Sequence, residues 1–340
     1  MMKETLKIFS EAHEAVKTII KEMSKVIIGQ TETIEHVLMC IFAGGHILLE
    51  SAPGLAKTLM AETLSKVLRT DSKRIQLTPD LTPQDITGFE MPVFGTQLWV
   101  TRKGPIFTTI CIADEINRAA EKTQAGFMEP MQERKVTIGL EDLPLDQLFT
   151  LIGTRNPIET GGTFAIAEAI LDRFLVNAII DYPSLADEKK IAVGTEDLSK
   201  IDIRAVCGKE DILPVRDFVL TPGYIEENHV MVDYIARIID TSRPQHTHLH
   251  LSQKDTSYYR SMVSLSLASP RATKAYMRAV LVFSHIILGD KMILPEHVKT
   301  LAKSILRHRL ILQSEAEYSG LTTDEIIEWL LNRVPIYRSE

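Results

Sequence analysis

The stretch that most limits what this chain can fold into runs from His46 to Leu68. An apolar run, His46-Ile47-Leu48-Leu49, feeds straight into a turn made of Ser51, Ala52, Pro53, Gly54, Leu55 and Ala56. Lys57 and Thr58 come next, and then a helical stretch to Leu68 with Leu59, Met60, Thr63, Leu64 and Val67 on one face. Strand, turn and helix in that order bring backbone N–H groups and a helix N-terminus to one point, which suits a phosphate. The pattern G-x-x-x-x-G-K-[ST] asks for glycine where this chain has Ser51 and Ala56. The remaining positions fit: Pro53-Gly54 is a turn dipeptide in which Gly54 is free to take a positive φ. Lys57 would set an ammonium on the β- and γ-phosphates, and Thr58 would hold Mg²⁺ through its hydroxyl. An ordinary strand–helix turn with a surface lysine has the same outline, so the rest of the chain has to decide.

Two further apolar runs end in polar residues. Thr109-Ile110-Cys111-Ile112-Ala113 leads into Asp114-Glu115, as a buried strand of a parallel sheet would. Ligands in such sheets bind beyond the carboxyl ends of the strands. Asp114 is therefore placed to complete the Mg²⁺ shell and Glu115 to polarise a water, a role that contributes roughly 10²–10⁴-fold in rate. Phe149-Thr150-Leu151-Ile152-Gly153-Thr154 leads into Arg155-Asn156-Pro157. An amide or hydroxyl at that tip can sense a γ-phosphate, and Asn156 is the better candidate because Pro157 fixes the chain after it.

These residues, in this order, resemble the AAA+ ATPases and, within them, the MoxR family. Ala52-Pro-Gly-Leu-Ala-Lys-Thr58, Ala113-Asp-Glu-Ile-Asn-Arg-Ala119, Asn156-Pro-Ile-Glu159, Leu171-Asp-Arg-Phe174 and Ser269-Pro-Arg-Ala272 carry the resemblance, which spans about residues 20–315. Ala56 is usual for that family, whereas Ser51 departs from it, and a Cβ there is expected to strain the turn or weaken nucleotide binding. The resemblance implies an α/β P-loop NTPase core with a parallel sheet, followed by a small all-α lid. It also implies ATP and Mg²⁺ as ligands, a ring homo-oligomer of hexameric type, a protein client, and a partner carrying a von Willebrand factor A domain. Gln30, in Val26-Ile27-Ile28-Gly29-Gln30, resembles the box on the adenine side. Arg173 resembles an arginine finger presented to a neighbouring subunit, and Arg271, at a lid helix start, would reach the γ-phosphate. Arg118 and Arg155 are weaker finger candidates.

Composition narrows the classes. The 340 residues are enough for two domains, and 24% charged with 45% apolar residues is a globular balance. No apolar run approaches the ~18–20 residues of a membrane span. Met1-Met2-Lys3-Glu4-Thr5 does not open a signal peptide, and Cys40, Cys111 and Cys207 have neither pairing nor zinc spacing. A reduced cytoplasmic compartment is the expectation. A net charge of −7 counts against a wide duplex-binding face. The clusters Arg69, Lys73, Arg74 and Arg102, Lys103 read as solvated faces.

The organisation expected is an amphipathic helix in residues 1–24, the ATPase core over 25–183, a helical lid over 184–320 and a last helix in 321–340. Two insertions interrupt the core: residues 81–104, with β-like pieces at Met91–Phe94 and Leu98–Thr101, and a hairpin near 134–148. Both are expected to face a ring pore or a partner. Lid helices are expected over 185–193, 224–239, 271–288 and 295–310, with a capping box, Thr322 to Glu325, opening the last helix. His246, His248 and His250 alternate, so an extended strand would carry them on one side, more as a polar connector than as a metal site. Three functions remain open on this reading: an ATP-driven remodelling motor, a nucleotide-dependent switch or scaffold with little hydrolysis, and a nucleic-acid motor.

Overall fold

The computed structural model describes residues 2–52, 54–96, 98–157, 162–194, 201–221 and 228–336, with side chains from Lys7 onward. Pro53, Ile158, Glu159 and the expected helical residues 224–227 lie outside the described residues. Contacts divide the chain into two compact units, one of residues 14–174 and 178–214, the other of residues 1–13, 175–177 and 215–340.

Among the described residues of the first 180 lie nine strands: β1 (Ile47–Ser51), β2 (Ser72–Gln76), β3 (Gly88–Pro92), β4 (Trp99–Lys103), β5 (Ile110–Asp114), β6 (Lys135–Ile138), β7 (Glu141–Pro144), β8 (Thr150–Arg155) and β9 (Val176–Ile180). Five of them form one sheet in the order β2-β5-β8-β1-β9. The pairs β2–β5, β5–β8 and β1–β8 are parallel, so Ser51, Gln76, Asp114 and Arg155 end their strands at the same sheet edge. Every residue of β1 and β5 is buried, which is why their sequences are continuous apolar runs. Cys111, Ala113, Phe127, Phe149, Leu151 and Phe174 belong to the core against this sheet. Gly153 lets β8 approach that core closely, because a Cβ there would lie 2.8 Å from Phe174 Cζ.

His46, just before β1, ties strand to strand. Its Nδ1 accepts from the Leu151 N–H at 3.0 Å, so its Nε2 carries the proton and donates to the Met131 carbonyl at 3.0 Å. Burial pushes this imidazole down to about 4, well below the usual histidine range.

The helix Lys57–Val67 begins two residues earlier than its apolar face indicates, and Thr31–Ala43 ends at Gly44 with φ 68, a left-handed cap that glycine suits. Both insertions are antiparallel hairpins, β3 with β4 and β6 with β7. The first is rooted by two glycines: a Cβ on Gly88 would meet the Arg102 carbonyl, and one on Gly104 the Ile86 carbonyl, each at 2.2 Å. Phe94, Leu98 and Trp99 on the first hairpin and Leu140 at the tip of the second are exposed.

The other unit is built mainly of helices: His229–Thr241, Gln253–Met262, Pro270–Val282, Pro295–Leu306 and Thr323–Leu331. Pro270–Val282 continues as a π-helical stretch, Phe283–Leu288, up to Gly289 at φ 77. A small antiparallel pair, β10 (Val263–Ser266) with β11 (Leu310–Leu312), accompanies the helices. Leu310 and Leu312 are buried and Ile311 is not, the period of a strand, and the helix expected over 295–310 ends at Leu306. The Thr322–Glu325 capping box forms as expected.

The histidine triplet is not a strand. Thr247–Leu249 is a 3₁₀ turn, and His246 Nδ1 and His250 Nε2 meet the two oxygens of Asp240 at 2.7 and 2.8 Å. Burial alone would raise the Asp240 carboxyl, but the hydrogen bonds from His246 and His250 hold it below its ordinary value. His248 turns instead toward Arg260. The alternating pattern failed because the organising carboxylate lies in the preceding helix. Among the described residues no cluster of three or more histidine, cysteine or acidic side chains has metal-holding geometry, and no helix is long and apolar enough to cross a membrane.

Candidate functional site

The loop after β1 and the carboxyl ends of β2 and β5 enclose a cleft of about 430 Å³. Gly54 through Leu59 line one side, Arg74 and Gln76 from β2 another, and Asp114 and Glu115 the third. Gly54 has φ +84 with open space where a Cβ would stand, so conformation rather than room requires glycine there.

Ser51 is the last residue of β1, buried, with its hydroxyl donating to the Ala52 carbonyl at 3.0 Å. It is extended rather than left-handed, so its Cβ puts no strain on the turn. The strained position is Ala56, which caps the following helix at φ 55. Lys57 and Thr58 open that helix and face the cleft. Burial pushes the Lys57 ammonium below its ordinary value, while Asp114 and Glu115 act in the opposite direction.

Gln30 reaches the loop from the other side, donating from Nε2 to the Leu55 carbonyl at 3.3 Å. The residue is 7% exposed, and its Oε1 is buried with no hydrogen-bond partner among the described residues.

The two carboxylates are closely held. Thr154 Oγ1, fully buried on β8, donates to Asp114 Oδ1 at 2.5 Å and accepts from the Glu115 N–H at 2.9 Å. Arg74 Nε donates to Asp114 Oδ2 at 3.1 Å, and its Nη2 makes a second, closer contact with the same oxygen. Glu115 stands at φ 57. Its Oε2 accepts from Gln76 Nε2 at 3.1 Å and from Arg118 Nε at 2.8 Å.

Asn156 follows the end of β8, at the same sheet edge as Ser51 and Asp114. Arg155 pairs with the buried Glu50 at 2.6 Å, and Arg118 with Glu115, so both weaker finger candidates are engaged within the chain. Arg173 donates to Gln132 Oε1 at 2.8 Å and to the Ala169 carbonyl. Arg271 is exposed at the first turn of Pro270–Val282, where Ser269 is the N-cap, and it belongs to the other compact unit.

Arg74, Gln76 and Thr154 are the residues that reading the sequence for functional groups passes over. The Arg69, Lys73, Arg74 cluster is not one solvated face: Arg69 pairs with Glu210, Lys73 donates to the Phe107 carbonyl, and Arg74 enters the cleft. The available signal was positional, since Arg74 and Gln76 share a face of one strand.

Residues 46–176 match the ATPase family associated with various cellular activities, and residues 260–330 match the AAA lid domain. The chain is 32% identical to the chaperone MoxR1 of Mycobacterium tuberculosis, over 96% of this chain and 83% of that protein. It is also 32% identical to the uncharacterized protein YeaC of Bacillus subtilis, over 97% of this chain and 98% of that one. A crystal structure of a candidate ATPase from Cytophaga hutchinsonii superposes with a TM-score of 0.84 at 32% identity, covering 99% of both chains.

Proposed function

Since the chain belongs to the MoxR family of AAA+ ATPases, we propose that it hydrolyses Mg·ATP and uses the cycle to remodel a protein client. The observation that carries this reading is the single cleft shared by Lys57, Thr58, Asp114 and Glu115 at the carboxyl edge of a parallel sheet. ATP is the substrate. Its phosphates fit the N–H groups around Gly54–Thr58 and the helix N-terminus. The buried Gln30 Oε1, without a hydrogen-bond partner among the described residues, is an acceptor suited to the amino group of adenine.

The donors also suit Mg²⁺: the Thr58 hydroxyl and the Asp114 carboxylate are hard oxygens, and Mg²⁺ characteristically takes one or two protein oxygens while keeping water and phosphate as its other ligands. When bound it would neutralise charge across the β- and γ-phosphates. Lys57 would add a fixed cation to the same oxygens. Glu115 would polarise the attacking water and Asn156 orient it. Gln76 and Arg118 both donate to its Oε2, which fixes the direction of the side chain and leaves Oε1 as the oxygen to accept from a water. Arg173 would serve the site of a neighbouring subunit in a hexameric ring, and Arg271 would bring the lid to the γ-phosphate. The hairpins β3–β4 and β6–β7, with Phe94, Trp99 and Leu140 exposed, would meet the client or a partner carrying a von Willebrand factor A domain. A cytoplasmic location accords with the three buried free cysteines.

A second reading, a nucleotide-dependent switch with little turnover, is favoured by the two donors that hold Glu115. The deciding experiment is steady-state ATP hydrolysis against protein concentration, with Glu115→Gln alongside. A remodelling ATPase gives turnover per subunit that rises with concentration and vanishes in the variant. A wild type that binds ATP yet only matches the variant's rate leaves the switch.

A further inference from the structure

Three donors converge on Asp240, in the last turn of the helix His229–Thr241. His246 Nδ1 and Arg243 Nη1 reach its Oδ1 at 2.7 and 3.1 Å, and His250 Nε2 reaches its Oδ2 at 2.8 Å. A carboxylate only accepts, so all three groups donate. The helix dipole disfavours a negative charge at this end, and the donors offset it. They also fix the direction of Arg243. The other edge of its guanidinium, Nε and Nη2, closes on one acceptor, the Ala268 carbonyl, with both distances 3.0 Å. Ala268 is buried and stands directly before Ser269, the N-cap of the helix Pro270–Val282, whose Oγ accepts from the Arg271 N–H at 3.2 Å. The line Asp240–Arg243–Ala268 therefore runs from the end of one helix to the start of the helix that carries Arg271.

Packing does not make this connection. A cleft of about 380 Å³ is lined by Arg237, Asp240, Arg243 and His250 together with Pro270 and Thr273 of the first turn. The guanidinium supplies the tie where the two helix ends are not packed solidly. On the other side of the loop, the Leu267 N–H donates to the Arg309 carbonyl at 2.7 Å and the Ala268 N–H to Ser266 Oγ at 3.3 Å. Arg271 itself is exposed, so the backbone beneath it sets its place. We propose that Arg243 is a positioning residue for Arg271, acting through the Ala268 carbonyl. The inference rests on the reading in which Arg271 meets the γ-phosphate. Held at Ala268, the first turn presents Arg271 in one place; released, it presents the arginine in several. Only the γ-phosphate contact weakens, because the rest of the nucleotide is left to Gln30 and the loop Gly54–Thr58. Lysine cannot replace Arg243 fully, since an ammonium lacks the flat edge that closes on the carbonyl while a third nitrogen holds Asp240. Two histidines of the triplet thereby gain a use, as anchors of Asp240 behind the guanidinium.

The test is displacement of a fluorescent ADP from the full chain by ADP and by AMPPNP, a non-hydrolysable ATP analogue, at fixed Mg²⁺. Arg243→Met lowers the affinity for AMPPNP roughly five- to tenfold, the low end of a typical coupling between two sites, and leaves that for ADP unchanged. Arg243→Lys shifts AMPPNP in the same direction by a smaller factor. Combining Arg243→Met with Arg271→Met gives no weaker AMPPNP binding than Arg271→Met alone, because the two act in one line. Unchanged AMPPNP affinity in Arg243→Met overturns the proposal. So does an equal loss for both nucleotides, which is what a merely structural arginine would give. Full additivity of the two variants overturns the route through Arg271. Should Arg243→Met fail to fold, Arg243→Lys decides, and an unchanged ratio of AMPPNP to ADP affinity refutes the positioning. Failure of the underlying reading shows separately: an Arg271→Met that leaves this ratio unchanged refutes the γ-phosphate contact, and this proposal with it.

Discussion

Protonating His46 should loosen the pairing at the amino ends of β1 and β8, the sheet edge opposite the cleft. The ring bonds both ways, accepting from Leu151 of β8 and donating to Met131, and it cannot accept once charged. In the fold it titrates at about 4, against an ordinary 6.5. Its folded value is the lower one, so between those two limits the unfolded chain binds more protons than the folded one. Stability therefore falls as pH drops through 6.5 toward 4 and levels off below. The full difference corresponds to about 3 kcal/mol, of which about 2 kcal/mol is lost by pH 5. His46→Gln keeps one donor and one acceptor and removes the titration. Urea unfolding followed by far-ultraviolet circular dichroism at pH 8 and pH 5 isolates the contribution as the difference between wild type and variant. Wild type should lose about 2 kcal/mol more than His46→Gln over that interval. Equal losses in the two proteins refute the reasoning, and so does an NMR titration showing the His46 ring charging near pH 6.

Three other substitutions test the surrounding packing. Gly153→Ala places a methyl against Phe174, and thermal melting should show a loss of about 1–3 kcal/mol, as overpacked cores do. Thr154→Val keeps the shape but removes both the donor to Asp114 and the acceptor for the Glu115 N–H. Chemical denaturation should show a cost of about 1–3 kcal/mol from the buried groups left unpaired, and metal-dependent nucleotide binding should weaken. Ala56→Gly should raise the melting temperature slightly, since a left-handed alanine costs roughly 1–2 kcal/mol, partly offset by the greater freedom of glycine in the unfolded chain.

The parts of the site that were legible in sequence are those set by neighbours along the chain. The strand–turn–helix around Lys57 and the acids ending β5 announce themselves because burial on both faces forces continuous apolar runs, and such runs end where the sheet does. Gly54 is legible because it occupies a backbone region that glycine enters most easily. Contacts across the sheet were not. Arg74 and Asp114 are 40 residues apart, and only the parallel register of β2 on β5 brings them together. Thr154 and His46 depend on the same kind of pairing, as does Asp240 with its two histidines across a helix end. Ser51 invited concern over a missing glycine, yet it lies in extended backbone, and the conformational demand falls on Ala56 instead.

Glu115 has a left-handed backbone at φ 57, a conformation that roughly 1–2 kcal/mol of steric cost normally keeps side chains from adopting. Selection for thermal hardiness alone would therefore replace this residue early, with glycine or asparagine as the favoured substitutes. Those substitutes lack the carboxylate that faces the cleft. A library ranked by heat resistance and one ranked by turnover would thus disagree most sharply at position 115. A deep mutational survey that found that disagreement at position 115 would support the role proposed for Glu115.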